Sequence, residues 1–296
     1  MWSNLAESFI PVERLHAFSG PKEAIHHATG SLNYLKESLK TPPYRVEMRY
    51  SDRTNNFEIA LWTRTGPFSR KLARDVLTAG TALSSLVRVQ TKDTHKARRV
   101  VNVERLSGKG NWTENLTGAQ YTVSAPSFFQ VNTDVAEHMI DFVLGELKSN
   151  GIQTLLDLYS GVGTFGITAA KRGFHVSMIE AEGTSLQDAR KNAQRACVQP
   201  QILGGDVLKV LKQHQENTRN DAAIVDPPRS GIKRACIPLI AHFKKLMYVS
   251  CNPATLARDL QLLSTHYIIE RIHPVDLFPH TPHIESIAVL KQRASC

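Results

Sequence analysis

The sequence predicts a doubly wound α/β domain with a mostly parallel sheet, preceded by a smaller, basic α+β domain. Three observations carry this. From Gly151 onward, short apolar runs bounded by turn residues alternate with helix-like stretches, the pattern of parallel strands joined by crossovers. Earlier, from Tyr44 to about Val103, short strand-like segments are separated by polar turns. The charge divides in the same way: 18 Lys and Arg face 11 Asp and Glu through Gly118, but 18 face 16 from Ala119 onward, within a net charge of +9. The expected domains are therefore 1–118 and 119–296.

Taken in order, residues 21–40 read as a helix, with Ile25, Leu32, Leu35 and Leu39 at mostly helical spacing and "TPPY" closing it. "YRVEMRY", "FEIALWT", "LVRVQT" and "RVVNVERL" read as strands of an antiparallel sheet, with a helix-like piece from Arg70 to Ala79. "LSGKGNWTENLTG" reads as a connector, and a helix from Asp134 to Lys148 leads into the second domain. There "TLLDLYS", "HVSMIEA", "PQILGGD", "AAIVDPP", "KLMYVSC" and "YIIERIHPVDLF" are strands, and "HIESIAVLKQR" is a last one.

With 296 residues, 42% of them hydrophobic, the chain can bury real cores. No run approaches the roughly 18 apolar residues that cross a bilayer, and the start lacks the basic-then-apolar order of a signal peptide. The expected location is the cytoplasm, or an organelle such as the mitochondrion, with no membrane partner and no obligate protein partner. Cys197, Cys236, Cys251 and Cys296 form no CxxC pair, so no zinc site, iron–sulfur cluster or disulfide framework is expected. The basic surplus points to a polyanion, most simply nucleic acid. Its densest patch, "KDTHKARR" (Lys92, His95, Lys96, Arg98, Arg99), suits phosphate contacts, or is an ordinary exposed loop or edge strand.

The chemistry-bearing motifs fall at strand tips, where open α/β sheets bind their ligands. "LLDLYSGVGTFGITAA" reads as strand, glycine turn and helix; Gly161 and Gly163 permit close backbone approach, and the helix that opens at Thr164 offers free N–H groups. Glu180 ends the next strand, where a carboxylate can accept both ribose hydroxyl hydrogens of an adenosine. Gly161-Val-Gly163-Thr-Phe-Gly166 is one residue short of the dinucleotide fingerprint, so S-adenosylmethionine fits better than NAD. Asp206 suits the adenine edge, or is a plain turn aspartate. Asp226 precedes two prolines at another tip, and Cys251 lies between an apolar strand and an Asn-Pro turn in "YVSCNPATLARD". A lone cysteine is ordinarily a small buried hydrophobe. The convergence of Asp157, Glu180, Asp226 and Cys251 on one sheet edge argues for more.

"SFFQVN", "LDLYSGVGTFG", "DPPRSG", "YVSCNPATLARDL" and "PHIESIAVL", in this order and spacing, resemble the RNA uracil-C5 methyltransferases, which make 5-methyluridine in tRNA and ribosomal RNA. The likeness runs from about Leu116 to Leu290. It implies a Rossmann-like methyltransferase sheet, S-adenosylmethionine as methyl donor and structured RNA as substrate. Gln130, Tyr159, Gly161, Thr164, Glu180, Asp206 and Asp226 would line the cofactor and target-base pocket, Cys251 would be the nucleophile and Glu285 the general base. Many members begin with a small β-barrel RNA-binding domain and some carry a four-cysteine iron–sulfur cluster; neither pattern is visible here.

This chemistry needs those residue types. A thiolate added at C6 of uracil loads electron density onto C5, splitting one hard step into two easier ones. A base must then remove the C5 proton, and a carboxylate in an apolar strand segment, as in "HIES", has its pKa raised toward a useful value. Free cysteine titrates at about 8.5; a helix N-terminus near Pro253, or a cation such as Arg229 or Arg258, would favour its thiolate. Gln130 or Asn252 could donate to the pyrimidine carbonyl. Phe128 and Phe129 could stack on a flipped base, although core packing is the expected role for both. Two other functions remain open on sequence alone: methylation of a different base atom, and an RNA-binding or RNA-folding protein with a vestigial methyltransferase domain.

Overall fold

The computed structural model describes residues 43–68, 83–93, 98–130, 132–213, 220–279 and 281–294. The helices expected over 21–40 and around Arg70 to Ala79, the middle half of the "KDTHKARR" stretch (94–97) and Cys296 lie outside these residues. The chain forms two compact units, one including the described residues to Asn115 with Tyr121–Ser127, the other Leu116–Gln120 with the described residues from Phe128 onward.

The first unit is built on a four-stranded sheet in the order β1 (Arg45–Ser51), β2 (Asn56–Arg64), β3 (Ser85–Asp93), β4 (Arg98–Gly108). Its outer pairs are antiparallel, as expected, but β2 and β3 run parallel. The reason is the connection: a parallel pair needs a long crossover, and the stretch between Arg64 and Ser85 supplies one. Phe57, Ile59, Leu61 and Leu86 pack on one side, and Ala60, Val87, Val89 and Ala125 on the other. Part of the basic surplus is spent internally. Arg49 donates to the carbonyls of Ser124, Ala125 and Ser127, and the buried Arg88 donates to Thr63, Arg64 and Gly66. The expected connector is also corrected. It carries β5 (Trp112–Leu116), paired with β6 (Ala119–Val123) around a two-residue turn in which Thr117 and Gly118 both take positive φ, the geometry that suits tight hairpins.

The second unit opens with α1 (Thr133–Ser149), capped by the Asn132 side chain and burying Ala136, Met139, Ile140, Val143, Leu144 and Leu147 at helical spacing. Seven strands come after it: β7 (Thr154–Leu158), β8 (His175–Glu180), β9 (Gln201–Gly204), β10 (Ala222–Val225), β11 (Lys245–Ser250), β12 (Tyr267–Val275) and β13 (Glu285–Gln292). Their order in the sheet is β12-β13-β11-β10-β7-β8-β9, parallel from β11 to β9, with β13 antiparallel to both neighbours. The connecting helices are α2 (Thr164–Lys171), α3 (Gly183–Arg195), α4 (Val207–Gln213), α5 (Ile237–Ile240) and α6 (Pro253–Leu263). All seven strands expected from the sequence are present. The inner strands are buried end to end, which is why they read as unbroken apolar runs.

Strand order decides where a ligand can sit. From β7 the chain moves outward through β8 to β9, then returns to the other side of β7 as β10. A cleft therefore opens between the ends of β7 and β10, at the topological switch point.

Candidate active site

Three carboxylates gather at the switch point. Asp157, near the end of β7, is buried; its Oδ2 accepts the Gly166 N–H at 2.9 Å, while its Oδ1 has no partner. Burial and the nearby Asp226 and Glu180 push its carboxyl well above the ordinary range. Glu180, at the end of β8, accepts the Gly161 N–H at 2.8 Å on one oxygen and the Glu182 N–H at 2.6 Å on the other, leaving a lone pair on each. Asp226 directly succeeds β10. It keeps some exposed surface but is densely surrounded, and this crowding pushes it up to about 7.

The glycine turn is shaped by two different constraints. Gly163 has φ +95°, and a Cβ there would lie 2.5 Å from the Ile167 side chain. Gly161 has φ +56° with nothing within 4 Å of such a Cβ, so its outer side is open to an approaching ligand. Ser160, between them and β7, is buried with no partner for its hydroxyl, and so is Oε1 of Gln130, which is 7% exposed. Buried polar atoms are normally satisfied, so the orphaned oxygens of Asp157 and Ser160 at the switch point fit a ligand that brings hydrogen-bond donors. An amino acid ammonium and ribose hydroxyls, as in S-adenosylmethionine, are such donors.

Two predicted pocket residues are engaged elsewhere. Tyr159 has φ +63°, and its hydroxyl lies near the buried Cys236 thiol; burial pushes its pKa up. Asp206 accepts the Lys209 N–H at the start of α4 and pairs with Lys233 at 2.6 Å, which holds its carboxyl below the ordinary range. Thr164 begins α2 and is half-buried.

The second part of the site lies at the ends of β10, β11 and β13. Cys251 directly succeeds β11, half-buried; burial and then Glu285 push its thiol up, and the nearby Arg229 guanidinium opposes them. Glu285 is the first residue of β13 and 6% exposed. Burial and then Asp226 push its carboxyl up to about 8, with Arg229 opposing. Arg229 also contacts Nδ1 of His283 at 3.2 Å, a neighbour that sequence reasoning missed. Of the two expected cations, the structure brings only Arg229 to the thiol; Arg258 is held by Asp259 and the Ser230 carbonyl. Asn252 is likewise committed: its Oδ1 caps α6 through the Ala254 N–H, and its Nδ2 donates to the Arg229 carbonyl. Gln130 remains with an unused oxygen. Phe129 is buried as expected, but Phe128 is 59% exposed, a correction that goes with its place in an irregular segment between β6 and α1.

Sheet and cleft together define a Rossmann-like α/β domain of the methyltransferase type. A solved structure of TYW2 from P. horikoshii, at 14% identity and a TM-score of 0.53 over 90% of this chain and 98% of that one, shares the fold. The family model described as tRNA (Uracil-5-)-methyltransferase matches residues 85–203 and 208–293, and the chain belongs to that family. An uncharacterized RNA methyltransferase of Halalkalibacterium halodurans is 33% identical over 88% of this chain and 59% of its own length. Another, from Listeria innocua, is 40% identical over 64% of this chain and 42% of its own length. The chain thus spans about half the length of these curated relatives. Among solved structures, the tRNA (uracil-54, C5)-methyltransferase of Pyrococcus abyssi, in complex with S-adenosyl-L-homocysteine, matches with a TM-score of 0.73 and 28% identity, over 90% of this chain and 66% of that one.

Proposed function

We propose that this protein transfers a methyl group from S-adenosylmethionine to C5 of a uridine in structured RNA, tRNA or ribosomal RNA, through a covalent bond between Cys251 and C6. The observation that carries this reading is the meeting of a thiol, a carboxyl with its pKa raised to about 8, and a guanidinium at one end of the sheet, beside a switch point with the orphaned oxygens of Asp157 and Ser160. When bound, the cofactor supplies an electrophilic methyl group. Glu180 would hold the ribose, and Asp157, Ser160 and Gln130 offer oxygens to its donors or to those of the target base.

The proton accounting falls to Cys251, Glu285 and Arg229. The resting thiol is protonated, since burial outweighs the guanidinium. Attack requires its proton to pass to solvent, which the half-buried sulfur still reaches; the Cys251 sulfur then bonds C6, and the ring's electron pair moves onto C5 and O4. After C5 has been methylated, Glu285 in its ionised form takes the C5 proton, and the electrons released re-form the C5–C6 double bond as the C6–S bond breaks. Arg229 stabilises the thiolate at the start and again when it departs. RNA must present the uridine unstacked, at a cost of a few kcal/mol, less in a loop.

The test is direct. Purified protein is incubated with S-adenosylmethionine and separate unmodified tRNA and ribosomal RNA transcripts, and nucleosides are quantified by mass spectrometry. 5-Methyluridine in one tube, lost in Cys251→Ala, is the expected result; a different methylated nucleoside, or undiminished methylation by Cys251→Ala, overturns the reading.

A further inference from the structure

The helix that begins two residues after Cys251 carries an acid on its apolar side. α6 buries Leu256, Asp259, Leu260 and Leu263, and Asp259 is 0% exposed. Enclosing a carboxylate is costly, and pairs of this kind are often replaceable by apolar residues without loss of stability. Its contacts give a reason for its presence. Oδ2 accepts the Tyr248 hydroxyl at 2.6 Å and the Ile232 N–H at 2.9 Å, and Oδ1 accepts two bonds from Arg258.

Those bonds belong to a longer grip on one turn. Asn252 and Thr255 both donate to the Arg229 carbonyl, at 3.3 and 3.2 Å. Arg258 donates to the Ser230 carbonyl at 2.8 Å, and Asp259 receives the Ile232 N–H. The gripping residues recur every three or four positions, on one face of α6. The turn closes on itself through Gly231 N–H to the Pro228 carbonyl at 2.8 Å, and Gly231, at φ +77°, leaves no room for a Cβ, which would sit 2.3 Å from Asp259 Oδ2. Backbone groups at residues 229, 230 and 232 are therefore held by the helix whose first turn lies just past Cys251. The side chain carried by this turn is Arg229, whose guanidinium meets His283 Nδ1 at 3.2 Å, two residues before Glu285, at the end of the sheet where the register of Ser250 with Ser286 brings Glu285 beside Cys251.

We propose that Asp259 is a positioning residue for the Cys251 centre: buried behind the turn 228–232, it fixes that turn against α6 and so sets the Arg229 guanidinium on the Cys251 sulfur. It touches neither RNA nor cofactor and acts only through Arg229. The ionisable groups that face the thiol are Glu285, Arg229 and Asp226, so a change confined to the Arg229 contribution can be read from the thiol itself.

The inference deepens the reading of Cys251 as a nucleophile, but its test needs no methyl transfer. The full chain is alkylated with iodoacetamide between about pH 6 and 10, and modification of the Cys251 peptide is followed by mass spectrometry, which separates it from the other cysteines. In Asp259→Asn the titration midpoint should move up and the rate near pH 8 should fall about 3- to 10-fold. Arg229→Gln should do the same, and the double variant should fall no further, because both act through one contact. An unshifted profile in Asp259→Asn, faster alkylation from a loosened fold, or additive losses in the double variant would overturn the proposal. Should Asp259→Asn not fold, Arg258→Met removes the grip on Ser230 from the exposed side and carries the same expectation and the same refutation. If Cys251→Ala still methylates RNA, the nucleophile reading fails while the alkylation result stands on its own.

Discussion

Cys251 and Glu285 meet because β13 runs antiparallel to β11. Ser250 is in register with Ser286, so the residue after β11's last and the residue before Ser286 come side by side at one end of the sheet. In an all-parallel sheet the start of β13 would lie at the far end, a strand length away. The single reversed strand thus converts two residues 34 positions apart into neighbours, with Asp226 and Arg229 delivered from the adjacent β10 end.

This pairing separates bond making from bond breaking. Glu285→Gln retains the shape of the site but not the base, so Cys251 should still add to C6 while the C5 proton cannot leave after methylation. The expected outcome is a methylated RNA–protein adduct that survives denaturing electrophoresis in Glu285→Gln, and no adduct in Glu285→Gln with Cys251→Ala. Normal release of 5-methyluridine by Glu285→Gln would assign the proton to another base.

The raised carboxyl of Glu285 also leaves a trace in stability. Its folded value of about 8 lies above the ordinary 4.5, so between these pH values the folded chain binds more protons than the unfolded one. Stability from this group is complete below about 4.5 and is lost as pH rises through about 8, by an amount on the order of 1–3 kcal/mol. Glu285→Gln should therefore gain stability over the parent in urea titrations above pH 8 and lose that advantage toward pH 5. A pH-independent difference would contradict the shift. Methyl transfer should take the opposite course, rising through about pH 8 as Glu285 gives up its proton, and rising further at more alkaline pH because burial pushes the Cys251 thiol up.

Gln130 offers a test in which activity and stability part company. Its Oε1 is buried without a partner, so Gln130→Met removes an unsatisfied polar atom and should leave the unfolding midpoint unchanged or slightly higher. Methyl transfer should fall at least about 10-fold if that oxygen meets cofactor or base. Asn252→Ala should behave differently, losing a helix cap worth about 1 kcal/mol and loosening the Arg229 carbonyl together. Equal stability losses in both variants would show that the Gln130 oxygen is not idle.

Much of this was legible in the sequence, and the reasons differ from residue to residue. The strands of the second unit were readable because strands buried on both faces are continuous apolar runs, and their polar tips then stand out. Glu285 was assigned through the resemblance of "PHIESIAVL", since an acid opening an apolar run could equally be an edge residue facing water. The parallel β2–β3 pair was not readable, because alternating segments look alike whichever way they run. Nor could spacing choose between Arg229 and Arg258, 22 and seven positions from Cys251, since the choice depends on Asp259 capturing Arg258. Asp259 did leave a signal, an acid on the apolar stripe of α6, but its partners, Tyr248 and the Ile232 N–H, come from other elements.

The two glycines of the turn should respond in opposite ways to alanine. At Gly163 a Cβ would lie 2.5 Å from Cδ1 of Ile167 and 3.0 Å from Cε of Met178, at φ +95°, so Gly163→Ala should destabilise the fold by about 2 kcal/mol or more. At Gly161 the same Cβ meets nothing within 4 Å, and φ +56° costs only about 1 kcal/mol. The methyl group there would instead project into the space a ligand needs. Urea unfolding and calorimetric titration with S-adenosylmethionine on both variants separate the effects: Gly161→Ala should lose about 10-fold or more in affinity with a modest stability change. Unaltered affinity in a folded Gly161→Ala would place the cofactor away from this turn, and with it the role given to Glu180, whose carboxylate is tied to the Gly161 N–H.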